Sequence, residues 1–273
     1  MMRQIITAVR LLRPQSVFLM CLFLALPIGM RYQSAMYSTV QVLPIFLLLC
    51  GEIALNDVCD IEKDRFNKPQ RPLVSGELNL NSALVLAVSV ITCSVVVGIL
   101  TFYQSAWRLI IFGGLLIILS FYNYPWKFMP LIKTFITAGA TVLALSLLLT
   151  YQCLPYPQFT LGCAFFFILG REMLMDIRDY SGDLNNSYQT LAIRIGKRKT
   201  FCFSTICFCL SILLCVLIPL SKVTPLYIAG AVLFSLTTIV LVMLFSKVDD
   251  KKRQNRIALL FWLPMLALLM MLY

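Results

Sequence analysis

Nine apolar runs, each near the ~20 residues a helix needs to cross a bilayer, occupy most of this 273-residue chain. They lie at about 16–31, 38–55, 82–103, 108–123, 132–150, 158–174, 201–219, 224–245 and 257–273. Hydrocarbon offers a backbone no water to bond, so such runs must fold as helices. With 60% of residues hydrophobic and 13% charged, an ordinary soluble domain is excluded. The expectation is an all-α, polytopic membrane protein with nine transmembrane helices, forming one domain over residues 1–273. Pro27, Pro44, Pro219 and Pro264 fall within or at the ends of spans and predict kinks there.

The charges orient this bundle. If the N-terminus and the loops after every second helix share one side, 20 of the 23 Lys and Arg lie there, all but Arg31, Arg108 and Lys222. The 12 acidic residues fall on the same side. The positive-inside rule then predicts a cytoplasmic N-terminus, cytoplasmic polar loops and a C-terminus on the opposite side. The net charge of +11 is thereby explained as membrane orientation. Basic residues spread over several loops do not form the patch a nucleic acid would require. The first 16 residues read as a basic interfacial helix leading into the first span.

Two loops are long and polar, about 56–81 and 176–200, and both are expected on the cytoplasmic face. Each opens with acidic residues spaced i, i+3, i+7: Asp57, Asp60 and Asp64 in the first, Asp176, Asp179 and Asp183 in the second. On a helix this spacing places three carboxylates on one face. Carboxylates clustered beside a bilayer call for a cation or a function. Hard oxygen donors suit Mg²⁺, which completes its shell with water and substrate phosphate. Asn56 precedes the first triplet and is placed to orient it. Arg65, Lys68 and Arg71 follow it, and guanidinium groups hold phosphate oxygens through paired donors. Two Mg²⁺ ions between two carboxylate clusters, with cations alongside, outline a diphosphate site. A third polar segment, 122–133, offers Lys127 to the same anion; Lys133 and the interfacial aromatics Tyr122, Tyr124 and Trp126 lie beside it.

Arg194, Lys197, Arg198 and Lys199 follow the second triplet and read as an orientation signal in contact with lipid headgroups. The ten cysteines are scattered, with no CxxC pair, and read as small apolar packing residues. The chain has no histidine, which excludes Ser-His-Asp and Cys-His catalysis.

NDVCDIEKD at 56–64 fits the NDxxDxxxD motif of the UbiA family of intramembrane prenyltransferases. RFNKPQRPLVSG resembles that family's continuation of the motif. DIRDYSGD at 176–183 fits its second motif, TLAIRIG resembles the usual sequel, and YNYPWK resembles the segment after the fourth helix. The second motif looks most like the branch containing digeranylgeranylglyceryl phosphate, chlorophyll and homogentisate prenyltransferases. At the first helix, Ser16 stands where relatives often carry Asn.

The resemblance implies a helical bundle around a central cavity open to lipid. It also implies Mg²⁺-dependent transfer of a prenyl group from an isoprenoid diphosphate, geranylgeranyl or farnesyl in the first instance, to a small acceptor. The implied catalytic residues are Asn56 and the six aspartates, Asp57, Asp60, Asp64, Asp176, Asp179 and Asp183. The aspartates are the implied metal ligands, with Arg65, Arg71 and Lys127 on the diphosphate. The same machinery would serve a terpene cyclase, which needs no acceptor. A transporter is a more distant alternative, because the helix interiors offer no path of charges across the membrane.

Overall fold

The computed structural model describes residues 2–67, 69–123, 132–152, 156–185, 188–217, 224–248 and 250–271. These residues form thirteen helical segments: α1 (Met2–Leu12), α2 (Pro14–Tyr32), α3 (Ala35–Cys59), α4 (Ile61–Asn67), α5 (Leu80–Phe102), α6 (Ala106–Tyr122), α7 (Ile132–Thr150), α8 (Pro157–Asn185), α9 (Leu191–Ile195), α10 (Lys197–Val216), α11 (Pro225–Ser246), α12 (Lys251–Leu260) and α13 (Trp262–Met270). Within the described residues, each expected span coincides with a helix or, at 257–271, a pair of helices.

Six helices, α2, α3, α5, α7, α10 and α11, are long and apolar enough to cross a membrane, and α6 is a shorter apolar helix. Their outward faces carry bare apolar side chains: Trp107, Ile117, Leu100, Val216 and Val85 are each at least 65% exposed. Lipid is the solvent that such faces require. The protein is a multi-pass integral membrane protein.

Helix starts follow local chemistry. Ser34, Asn79, Thr224 and Asp250 each accept a backbone N–H three residues on, at 2.7–3.2 Å, and so cap α3, α5, α11 and α12. The last expected span, 257–273, is not one helix. It breaks at Phe261, and Pro264 supplies the reason: it has no N–H to offer the carbonyl of Leu260 four residues back.

The helices group into two compact units, 1–126 with 143–151, and 127–142 with 152–273, so that α7 contributes to both. In the first unit α3 packs chiefly on α5. Gly51 permits this crossing, since a Cβ there would sit 2.6 Å from the Ile91 side chain and 3.1 Å from its backbone. In the second unit α8 packs on α10 through Gly170, whose missing Cβ makes room for the Ser204 carbonyl. The Ser204 hydroxyl donates back to the Gly170 carbonyl at 2.8 Å. Phe167 anchors that core, with ring centroids of Phe208, Phe234 and Phe261 at 5.4–6.2 Å. Cys163, Cys207 and Cys215 pack into the same core as free thiols.

Candidate active site

α3 carries Asn56 and Asp57 within its last turn rather than in a loop. At Asp60 the backbone leaves helical geometry (φ −97°, ψ 17°), and α4 starts one residue later. The i→i−4 hydrogen bonds nevertheless continue through the bend, from Asp60 N to Asn56 O at 2.8 Å and from Asp64 N to Asp60 O at 2.9 Å. Asp57, Asp60 and Asp64 therefore stay in helical sequence along a kinked element. Asp57 and Asp64 are buried, at 2% and 3% exposure.

Burying carboxylates demands compensation. Arg71 supplies it to both, with Nη1 at 2.8 Å from Asp57 Oδ1 and a short ion pair to Asp64. The loop after α4 thus folds back onto the end of α3. Arg13 reaches Asp57 from the α1–α2 junction, its Nη2 lying 2.6 and 2.5 Å from the two carboxylate oxygens. Arg13 holds left-handed backbone geometry (φ 46°, ψ 49°), a conformation costing a non-glycine residue on the order of 1 kcal/mol. Asn56 donates to Asp60 at 3.3 Å. Burial pulls the Arg71 guanidinium below its ordinary pKa; Asp57 opposes this, and the nearby positive charge of Arg13 adds to it. Two cations and two buried carboxylates thus share one small volume. Arg65 is exposed on α4 and makes no ion pair with them among the described residues.

In the second unit Asp176, Asp179 and Asp183 all lie on the uninterrupted helix α8, which runs past the expected loop boundary to Asn185. Their one-face arrangement is realised directly. Asp183 is 1% exposed. Arg178 forks onto Asp179, Nε to Oδ1 at 3.1 Å and Nη2 to Oδ2 at 2.7 Å. Arg171 pairs with Glu172 at 2.6 Å, one turn before the triplet. Lys127, Lys68, Tyr124 and Trp126 lie outside the described residues.

Both triplets present only oxygen donors, the set a hard divalent cation takes. Among the described residues no three such side chains converge tightly enough to enclose an ion unaided. In the first unit guanidinium groups hold Asp57 and Asp64, and the oxygen donors of the triplet fit the chemistry of Mg²⁺.

Sequence reasoning missed two features. One is Arg13, whose signal was its place directly before Pro14 at a helix start. The other is a polar cluster inside the helices. Glu52, 4% exposed on α3, accepts from Ser120 Oγ at 2.8 Å and Asn123 Nδ2 at 2.7 Å. It lies one turn below Asn56 (i−4) and ties the end of α6 to the helix bearing Asp57. A glutamate within an apolar run was its signal.

The UbiA prenyltransferase family model matches residues 16–265. A digeranylgeranylglyceryl phosphate synthase from Sulfurisphaera tokodaii is 28% identical over 248 residues, covering 84% of this chain and 85% of that protein. One from Sulfolobus acidocaldarius is 32% identical over 177 residues; the match covers 61% of this chain and 60% of the relative. Among solved structures, a UbiA homologue from Archaeoglobus fulgidus bound to GPP and Mg²⁺ superposes with a TM-score of 0.73 at 18% identity, covering 96% of this chain and 99% of that one. A digeranylgeranylglyceryl phosphate synthase structure gives 0.71 at 22% identity, covering 100% and 98%.

Proposed function

The chain belongs to the UbiA prenyltransferase family, and on that premise we propose that it transfers a prenyl group from an isoprenoid diphosphate to an acceptor within the membrane, releasing diphosphate. Geranylgeranyl and farnesyl diphosphates are the donors of choice. The relatives' activity makes a prenylated glyceryl phosphate lipid the first acceptor to test. The reading includes nine membrane crossings around a central cavity, with both Asp-rich segments cytoplasmic.

In this reading Asp57, Asp60 and Asp64, and likewise Asp176, Asp179 and Asp183, serve one diphosphate. Two Mg²⁺ ions would be held by these carboxylates and would supply charge neutralisation for the leaving group. Asn56 orients Asp60 by its hydrogen bond. Arg71, with Arg65 and Lys127, takes the non-bridging phosphate oxygens and stabilises charge that builds on them as the C1–O bond breaks. Apolar helix faces keep water from the allylic cation. The acceptor nucleophile then forms the new bond to C1, and its proton passes to a carboxylate or to the released diphosphate.

The observation that carries this reading is buried Asp57 clasped by Arg13 and Arg71 at the end of a membrane helix. Such a group is expensive unless an ionic ligand gives it a purpose. The test is purified protein in lipid with Mg²⁺, geranylgeranyl diphosphate and a geranylgeranylglyceryl phosphate acceptor, read by mass spectrometry. An acceptor-dependent prenylated product is expected. A hydrocarbon or alcohol formed from diphosphate alone would replace transfer by cyclisation.

A further inference from the structure

α8 has a second functional face. A cavity of about 410 Å³ in the second unit is lined by Ile177, Arg178, Tyr180 and Ser181 of α8, by Lys197, Arg198 and Phe201 of α10, and by Phe245, Ser246, Val248 and Gln254 around the end of α11 and the start of α12. Ile177, Arg178 and Ser181 project well away from Asp176, Asp179 and Asp183, by the 100° that each residue advances around a helix. The cavity therefore opens mainly on the other side of α8, bordered by Tyr180 and by the Arg178–Asp179 pair.

Its lining mixes cationic, polar and apolar side chains. Three positive side chains from two helices, Arg178, Lys197 and Arg198, meet there, and among the described residues no carboxylate lines it. Arg178 commits one N–H each of Nε and Nη2 to Asp179, which leaves the two N–H groups of Nη1 and the second of Nη2. Lys197 Nζ stands 4.6 Å from the centroid of the Tyr180 ring, which also lines the cavity. Among the described residues neither Lys197 nor Arg198 forms an ion pair with a carboxylate. Ser181, Ser246 and Gln254 add hydroxyl and amide groups.

The surface leading away from the cavity is apolar. Along α11, one and two turns before Ser246, Met243 and Ile239 are 59% and 42% exposed, on the helix stripe that Ser246 continues. A ligand with a phosphate in the cavity could lay an acyl or prenyl chain along that stripe. A soluble phosphate ester would use only the polar part.

We propose that this cavity is a binding site for the phosphate headgroup of an anionic membrane lipid, held by Arg178, Lys197 and Arg198 on the face of α8 opposite the aspartates. The test reads lipid binding alone and needs no turnover. Delipidated protein in detergent is titrated with dioctanoyl phosphatidylglycerol, dioctanoyl phosphatidylcholine and glycerol phosphate, and binding is followed by native mass spectrometry and calorimetry. Two charge-matched double variants are compared: Lys197→Gln with Arg198→Gln in the cavity, and Arg194→Gln with Lys199→Gln in the same basic stretch outside it. Circular dichroism and gel filtration confirm folding of both.

The expected result is selective binding of phosphatidylglycerol, weakened about tenfold or more by the cavity pair and by less than about twofold by the control pair. Equal loss in the two variants would mean diffuse electrostatic attraction and would overturn the site. Equal binding of phosphatidylcholine would do the same. Glycerol phosphate binding as tightly as phosphatidylglycerol would overturn the lipid assignment.

Discussion

The two aspartate triplets share one spacing and live in different surroundings. The first runs over a kink between α3 and α4, and its buried members are clasped by guanidinium groups from distant parts of the chain, Arg13 and Arg71. The second lies on one uninterrupted helix, where the adjacent Arg178 pairs with Asp179. The ion pairs described for the first triplet are thus long-range in sequence, and the one described for the second is local. Changes at the first should propagate into the fold of its unit, whereas changes at the second should act mainly on chemistry.

The largest expected effect on stability follows from Arg71, which serves Asp57 and Asp64 together. Arg71→Gln leaves two buried carboxylates short of their shared partner and should destabilise the protein by about 3–5 kcal/mol, seen as a lower melting temperature in detergent. A melting temperature within error of the parent would show that the clasp is not structural.

The polar cluster below the first triplet comes next. Glu52→Leu removes the acceptor from Ser120 and Asn123 and leaves buried donors unmet, at about 1–3 kcal/mol. Glu52→Gln keeps one carbonyl acceptor and should recover about half of that loss. Equal melting of the two variants would mean that the hydrogen bonds contribute nothing and only the shape of residue 52 matters.

Arg178→Gln sharpens the contrast from the other side. Its pair is local in sequence and concerns a single carboxylate, so the stability loss should be about 1 kcal/mol. A loss matching that of Arg71→Gln would erase the proposed difference between the triplets. Arg65→Gln should shift stability by less than about 0.5 kcal/mol because the side chain is exposed. It should raise the KM for the isoprenoid diphosphate if Arg65 reaches that substrate, and an unchanged KM would remove it from the binding set.

The helices were legible in the sequence because the bilayer imposes a length and a polarity on every crossing. Asp176, Asp179 and Asp183 were equally legible, since helical periodicity alone places them together. The clasp on Asp57 was only half visible. Arg71 stood in the motif, whereas Arg13 comes from 44 residues upstream, a separation no local pattern encodes. Its left-handed backbone before Pro14 is likewise a tertiary outcome. Glu52 falls inside the expected span 38–55, but its bonds to α6 were not legible, because pairing between helices depends on which faces pack. The break at Phe261 was foreshadowed by Pro264, but hydropathy carried the apolar run straight through it.

The proposed reaction requires both triplets to act on one diphosphate. Asp57→Asn and Asp176→Asn, each purified in lipid and checked for folding, should be assayed for Mg²⁺-dependent diphosphate release from geranylgeranyl diphosphate with acceptor present. Both should lose activity by at least about 10³-fold while remaining inserted. Parent-like release in either variant would remove that triplet from the reaction and contradict the two-sided site.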